Sequence, residues 1–408
     1  MKKPVYNDYF PLTEYENRLE AIRAAMRREG FAALLLSTES NVVYTSGFLN
    51  GTWPNGFHLG RQFALIPVSE QNEPVLICPT ALTGSLMTSA FSDVYPINEP
   101  EGTEGVQKIA DLLAYWDSAN QRIGIEKGPA ICPSLISGFE PALKQALPQA
   151  DFQDCSGLMA AVRQIKSPRE IEKIRRAVEI SETALFEAFE QCHTGMSERE
   201  VAGQIALSMA RQSPDCAVNH PWFIYVHATG KSRIGWDGIP SEYIIRDTDL
   251  LYIDCGFIYQ GYTADMIRVF SFGNPDPSLC QAYEAARQVN ETMISALRPG
   301  LKIQDLMVFY ERALSGLGLQ KQWDAMQSYQ FLYAGHGIGL DIHEPPFISA
   351  VDQSHLEAGM TLAIEPDVFF NLPLSEQTVA LKPENDVLIT AEGAELLTTS
   401  STEIWRSR

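Results

Sequence analysis

The chain has 408 residues, of which 45% are hydrophobic and 20% charged, and carries a formal net charge of -20 at pH 7. That length allows two or three domains with real cores, and that charge repels nucleic acid and anionic membrane alike. No apolar run reaches bilayer length, and the opening MKKPVYNDYFPL lacks the apolar core of a secretory signal. Seven scattered cysteines, none in a CxxC pair, point to reduced thiols in a cytoplasmic protein rather than a disulfide frame.

In chain order, Tyr15, Leu19, Ile22 and Met26 recur at helical spacing, which predicts a helix over 12–29 that Gly30 stops. FAALLLS follows as a buried strand, and NVVYTSGF (41–48), RQFALIPV (61–68) and EPVLICP (73–79) read as further strands. Helices near 104–118 and 133–146 flank the strand RIGIE at 122–126. This alternation describes a smaller α/β domain over residues 1–160. It holds no Gly-rich phosphate loop before a helix, so no nucleotide site is expected there.

Near residue 160 the character changes, and a second domain is expected over 161–408. Ser167-Pro168 starts a long charged helix with Glu170 in its first turn. Ser197 and Glu200 form a capping box for the next helix. A long helix runs from Pro277 to about Leu297, and another follows RPGLKIQDL. Strands resume at FLYAGHGIGL and continue through MTLAIEPDVFF and ENDVLITAEGAELLT. Helices first and strands late, without strict βα alternation, predict an α+β fold with an antiparallel or mixed sheet.

The centre of this second domain is LLYIDCGFIYQGYTADMIRVFSF, Leu250–Phe272, two strands turning at Gln260 and Gly261. Each strand carries one aspartate, Asp254 and Asp265, and a carboxylate in an apolar strand is costly without a charge or hydrogen-bond partner. Three later segments add His336 between glycines, Glu365 in TLAIEPDVFF, and Glu384 before the last β segment. Singly, His336 is as well read as a core histidine and Glu384 as a strand-end charge. Together, four carboxylates without a cation would repel and raise one another's pKa values. One imidazole among oxygen donors suits two divalent ions such as Mn, Co, Fe or Zn.

In order, the motifs are DxG…GYTAD…R with Asp254 and Asp265, GHGIGLxxHEPP with His336 and His343, IEP with Glu365, and Glu384 before VLIT. This set resembles the M24 metallopeptidase family of creatinase, prolidase, aminopeptidase P and methionine aminopeptidase. RQIKSPREIEKIRRA and SNVVYTSGF extend the resemblance across both domains. It implies a pita-bread α+β catalytic domain behind a creatinase-type N-terminal domain, in a homodimer or tetramer, with the homodimer expected. It also implies that Asp254 holds one ion, Asp265 and Glu384 bridge both, and His336 and Glu365 complete the second. Glu365 would then act as general base and acid, and His343 would bond the substrate and its oxyanion.

The match departs at three places. The second histidine that the family's peptidases carry before the first aspartate is replaced by Trp236 or Asp237, with His220 or His227 as possible substitutes. Leu332 stands where the proline peptidases have a histidine, and Lys382 where they have an arginine. His227, Trp236, Asp237 and Lys382 are therefore the candidate substrate-binding residues. Two substrate readings stay open: a short peptide, as for an Xaa-Pro dipeptidase, or a small non-peptide amide or amidine, as for creatinase or ectoine hydrolase. In the second, residues 219–237 with Lys231 and Arg233 would hold a small carboxylate. A non-enzymatic binding protein would be expected to lose ligands, and none is missing.

Overall fold

Helix α1 (Leu12–Glu29) ends at Gly30, whose φ of 76° is the left-handed conformation that glycine accepts at a helix end. The structure, a computed structural model, describes residues 9–49, 62–82, 89–98, 104–128, 138–213, 219–231, 239–321, 324, 333–371 and 378–406. The chain divides into two units, Met1–Arg163 and Gln164–Arg408.

In the first unit β1 (Ala33–Leu36), α2 (Glu39–Ser46), β2 (Phe63–Pro67), β3 (Val75–Pro79) and β4 (Asp93–Ile97) follow α1. Then come α3 (Glu104–Tyr115), β5 (Arg122–Ile125), α4 (Phe139–Ala146), β6 (Asp151–Asp154) and α5 (Ser156–Gln164). The strands form one sheet in the order β4-β3-β2-β1-β5-β6. β2 runs antiparallel to β1 and β3, and the other neighbours are parallel.

The stretch expected as a strand at 41–48 is mostly helix α2. Its valines and threonine favour a strand locally. Tertiary bonds win instead: Glu126 accepts hydrogen bonds from the Ser37 and Thr38 amides just before the helix, at 2.5 and 2.7 Å. A carboxylate there complements the positive end of the helix dipole, and Asn41 of the first turn donates to it as well.

The second unit opens with α6 (Pro168–Gln191) and α7 (Glu198–Gln212), each begun by the capping box its sequence announces, Ser167 with Glu170 and Ser197 with Glu200. β7 (His220–Ala228), β8 (Leu251–Tyr259), β9 (Tyr262–Thr263) and β10 (Met266–Ser271) come next. Gln260 and Gly261, with φ of 51° and 90°, make the hairpin turn after β8. Helices α8 (Pro277–Ala296) and α9 (Ile303–Gly316) lead into β11 (Gly335–Gly337), β12 (Glu344–Phe347), β13 (Thr361–Ile364) and β14 (Val368–Asn371). The chain closes with β15 (Thr378–Leu381), β16 (Asn385–Ile389), β17 (Ala394–Leu396) and β18 (Trp405–Arg406).

These strands build sheets ordered β18-β10-β8-β7, with β9 on β8, and β12-β11-β13-β16-β17, plus the β14-β15 pair. The isolated bridge between Ile267 and Glu384 ties the first two sheets together. Val269, Ile364 and Val387 pack with α8 and α9 into one core. The second unit is α+β in class, and the smaller first unit is α/β.

Candidate metal centre

Five ligand-type side chains arrive on five different segments. Asp254 lies on β8, opposite Ile267 of β10 and Tyr225 of β7. Asp265 fills the break between β9 and β10, where its amide donates to Asp386 Oδ2 at 3.0 Å. His336 is the middle residue of β11, and its flanking glycines are required. A Cβ on Gly335 would stand 2.4 Å from Ala363 O, and one on Gly337 would stand 2.6 Å from Pro345 O. Glu365 follows β13 and Glu384 precedes β16. Their neighbours Ile253, Ile364 and Val387 are fully buried, which holds the strands in register.

The side chains converge. Ligand atoms of Asp254, Asp265 and Glu384 lie within 4.8 Å of one another, as do those of His336, Glu365 and Glu384, and of Asp265, His336 and His343. His336 Nε2 stands 3.7 Å from Asp265 Oδ2 and 3.1 Å from Glu365 Oε1. Asp254 Oδ1 and both carboxylate oxygens of Glu384 are buried without a hydrogen-bond partner. Buried polar atoms are rarely left so. An enclosed acidic set with one imidazole, three of its carboxylate oxygens unpartnered, suits divalent cations, so the residues fit a metal centre.

The electrostatics agree. Burial pushes the Asp254 carboxyl up to about 7, with Lys382 opposing and Glu365 and Asp367 reinforcing. Burial, then the charges of their carboxylate neighbours, push Asp265 and Glu384 well above the usual range. Glu365 is the exception. Burial would raise it, but Lys382 and His336 outweigh that and hold it at about 2. One carboxylate therefore stays ionised without metal while its neighbours resist ionisation.

His343 stacks edge-on against His336 with ring centroids 4.1 Å apart, and Tyr333 lies beside both rings. Burial, then the neighbouring His336, lower the His343 pKa to about 4. Lys382, expected at the substrate, is buried and ion-paired with Glu365. Trp236, Asp237, Arg233 and Leu332 lie outside the described residues. His227 lies on β7 opposite Tyr252, and His220 opposite Ile258, so both share the Asp254 face of the sheet. His227 is the nearer, two residues along from the partner of Asp254.

The sequence reading missed two buried carboxyls, Asp367 and Asp386. The signal was present: each stands two residues after a candidate ligand, in an apolar context. It also missed Asn290 of α8, whose amide donates to Ile364 O at 2.7 Å and Pro383 O at 3.1 Å. That helix thereby holds the two segments that present Glu365 and Glu384.

Residues 172–391 match metallopeptidase family M24, and residues 18–165 match the creatinase/prolidase N-terminal domain. An Xaa-Pro dipeptidase of Pyrococcus horikoshii is 27% identical over 326 residues, covering 79% of this chain and 87% of that one. One of Lactobacillus delbrueckii subsp. lactis is 26% identical over 353 residues, 86% of this chain and 89% of its own. The crystal structure of the Pyrococcus horikoshii prolidase shares the fold, with a TM-score of 0.77 at 24% identity, covering 95% of this chain and 99% of that one.

Proposed function

The chain belongs to metallopeptidase family M24, and on that premise we propose that it is a dinuclear-metal hydrolase of the Xaa-Pro dipeptidase type. One observation carries this: the enclosed cluster of Asp254, Asp265, His336, Glu365 and Glu384, in which Asp254 Oδ1 and both Glu384 carboxylate oxygens lack hydrogen-bond partners. In this reading Asp254, Asp265, His336, Glu365 and Glu384 would together hold the ions. Such ions, when bound, polarise a carbonyl and lower the pKa of water. Manganese heads the candidates, because oxygen donors dominate the set.

The chain's own groups divide the remaining work. Glu365 accepts the proton that the attacking water loses and returns it to the leaving nitrogen. His343, neutral at physiological pH because its pKa falls to about 4, donates a hydrogen bond to the developing oxyanion. His227, on the Asp254 face, is positioned to supply a second donor. The substrate we propose is a short peptide with proline after the scissile bond, as the names of the relatives suggest.

The 161–408 segment is the catalytic domain in this reading, and residues 1–160 the accompanying one. The proposal includes a homodimer in the cytoplasm. Free buried cysteines such as Cys78, Cys155 and Cys255 support a reducing compartment. No helix among the described residues is long and apolar enough to cross a membrane.

The test is a panel of Mn(II)-loaded assays on Xaa-Pro dipeptides, longer Xaa-Pro peptides, creatine and ectoine. Turnover of the Xaa-Pro substrates supports the reading. Turnover confined to creatine or ectoine replaces it with a small-amidine hydrolase.

A further inference from the structure

We propose that Lys382 is a movable counter-ion, seated on Glu365 while the centre is metal-free and transferred to Asp367 when metal binds. The inference rests on the metal-centre reading above and adds a device to it.

Lys382 is only 8% exposed and its ammonium contacts Glu365 Oε2. A divalent ion arriving at Glu365 would meet that fixed positive charge at close range, in surroundings that screen it poorly. The ammonium must either weaken metal binding or move. Its destination is built into the β14–β15 pair. Val368 of β14 lies opposite Leu381 of β15 in antiparallel register. Extending that register by one residue sets Asp367 opposite Lys382, a relation that brings Cβ atoms to roughly 4.5–5.5 Å.

Asp367 is 4% exposed, and its Oδ1 is buried with no hydrogen-bond partner among the described residues. The Tyr310 hydroxyl donates to the Asp367 carbonyl and fixes its backbone. Glu365 and Asp367 are two residues apart, so one flexible four-carbon stem can serve both carboxylates. Seated on Asp367, the ammonium gives a buried carboxylate its counter-ion and frees Glu365 Oε2. Lys382 is thus a positioning residue that acts through Glu365.

The test is a double-mutant cycle on metal affinity, read by calorimetric titration of Mn(II) into chelator-stripped protein. Asp367→Asn removes the destination and should weaken binding by about tenfold or more. Lys382→Met removes the competing charge. Added to it, Asp367→Asn should then change affinity by less than about twofold. Equal losses in both backgrounds, or no loss in either, overturn the proposal. Wild-type protein that takes up no Mn(II) overturns the metal-centre reading itself. Should Lys382→Met fail to fold, crystals of the wild type with and without Mn(II) decide the matter. Lys382 Nζ on Asp367 in the loaded form supports the transfer, and Nζ still on Glu365 overturns it.

Discussion

Ile267 and Glu384 meet in an isolated antiparallel bridge, the seam between the two sheets that carry the candidate ligands. Arg268, fully buried, locks that seam. Its guanidinium donates to Ile267 O at 2.7 Å, to Glu384 O at 2.8 Å and to Ser400 Oγ at 2.8 Å, with Glu182 at 3.6 Å. Arg268→Met would strand those acceptors and leave the Glu182 carboxylate without its cation. Urea unfolding should report a loss of about 3–5 kcal/mol, and bound metal should fall with it. Unchanged stability would mean that the bridge holds without the arginine.

Metal should be required. Chelator-stripped protein is expected to be inactive and to recover with Mn(II), Co(II), Fe(II) or Zn(II). Asp265→Asn and Glu384→Gln should each weaken metal binding by more than the roughly 10- to 100-fold that losing an outer partner costs. Elemental analysis after gel filtration gives the reading, and full metal content in either variant would remove that residue from the centre.

The metal-free protein should lose stability as pH rises. Asp254, Asp265 and Glu384 have folded pKa values above the unfolded values of about 3.9 for Asp and 4.3 for Glu. The folded chain therefore binds protons more tightly than the unfolded chain. That contribution is complete below about pH 4 and is lost as pH climbs through the folded values, about 7 for Asp254. Glu365, held at about 2, runs the other way, and its contribution disappears only in acid. Melting curves with chelator should fall between pH 5 and 8, while the gain on adding Mn(II) should widen. A gap that stays constant across that range would argue against these carboxylates as the ligands.

The two oxyanion-side candidates can be separated by substitution. His343→Ala and His227→Ala should each lower turnover of an Xaa-Pro dipeptide by about 100- to 1000-fold. His220→Ala, at the far end of β7, should change it little. If His220→Ala is the damaging change, the assignment of the second donor reverses.

The identity and order of the candidate ligands were legible in the sequence as an ordered set: singly Asp254, Asp265, His336, Glu365 and Glu384 each have a bland reading, and together their motifs resemble family M24. The capping boxes at Ser167 and Ser197 and the Gln260-Gly261 turn were legible because their bonds close within four residues. Tertiary structure decided what depends on partners far along the chain. Helix α2 exists where β-branched residues favour a strand, because Glu126 reaches the two amides that lead into it across more than 80 residues. Lys382 reads as a candidate substrate-binding cation until β14 pairs with β15 and sets it against Glu365 and Asp367. Arg268 acquires its role only when Glu384 arrives beside Ile267. Local backbone preference is written in neighbouring residues. A buried charge takes its meaning from whatever the completed fold leaves beside it, because the low dielectric there makes each distant partner count.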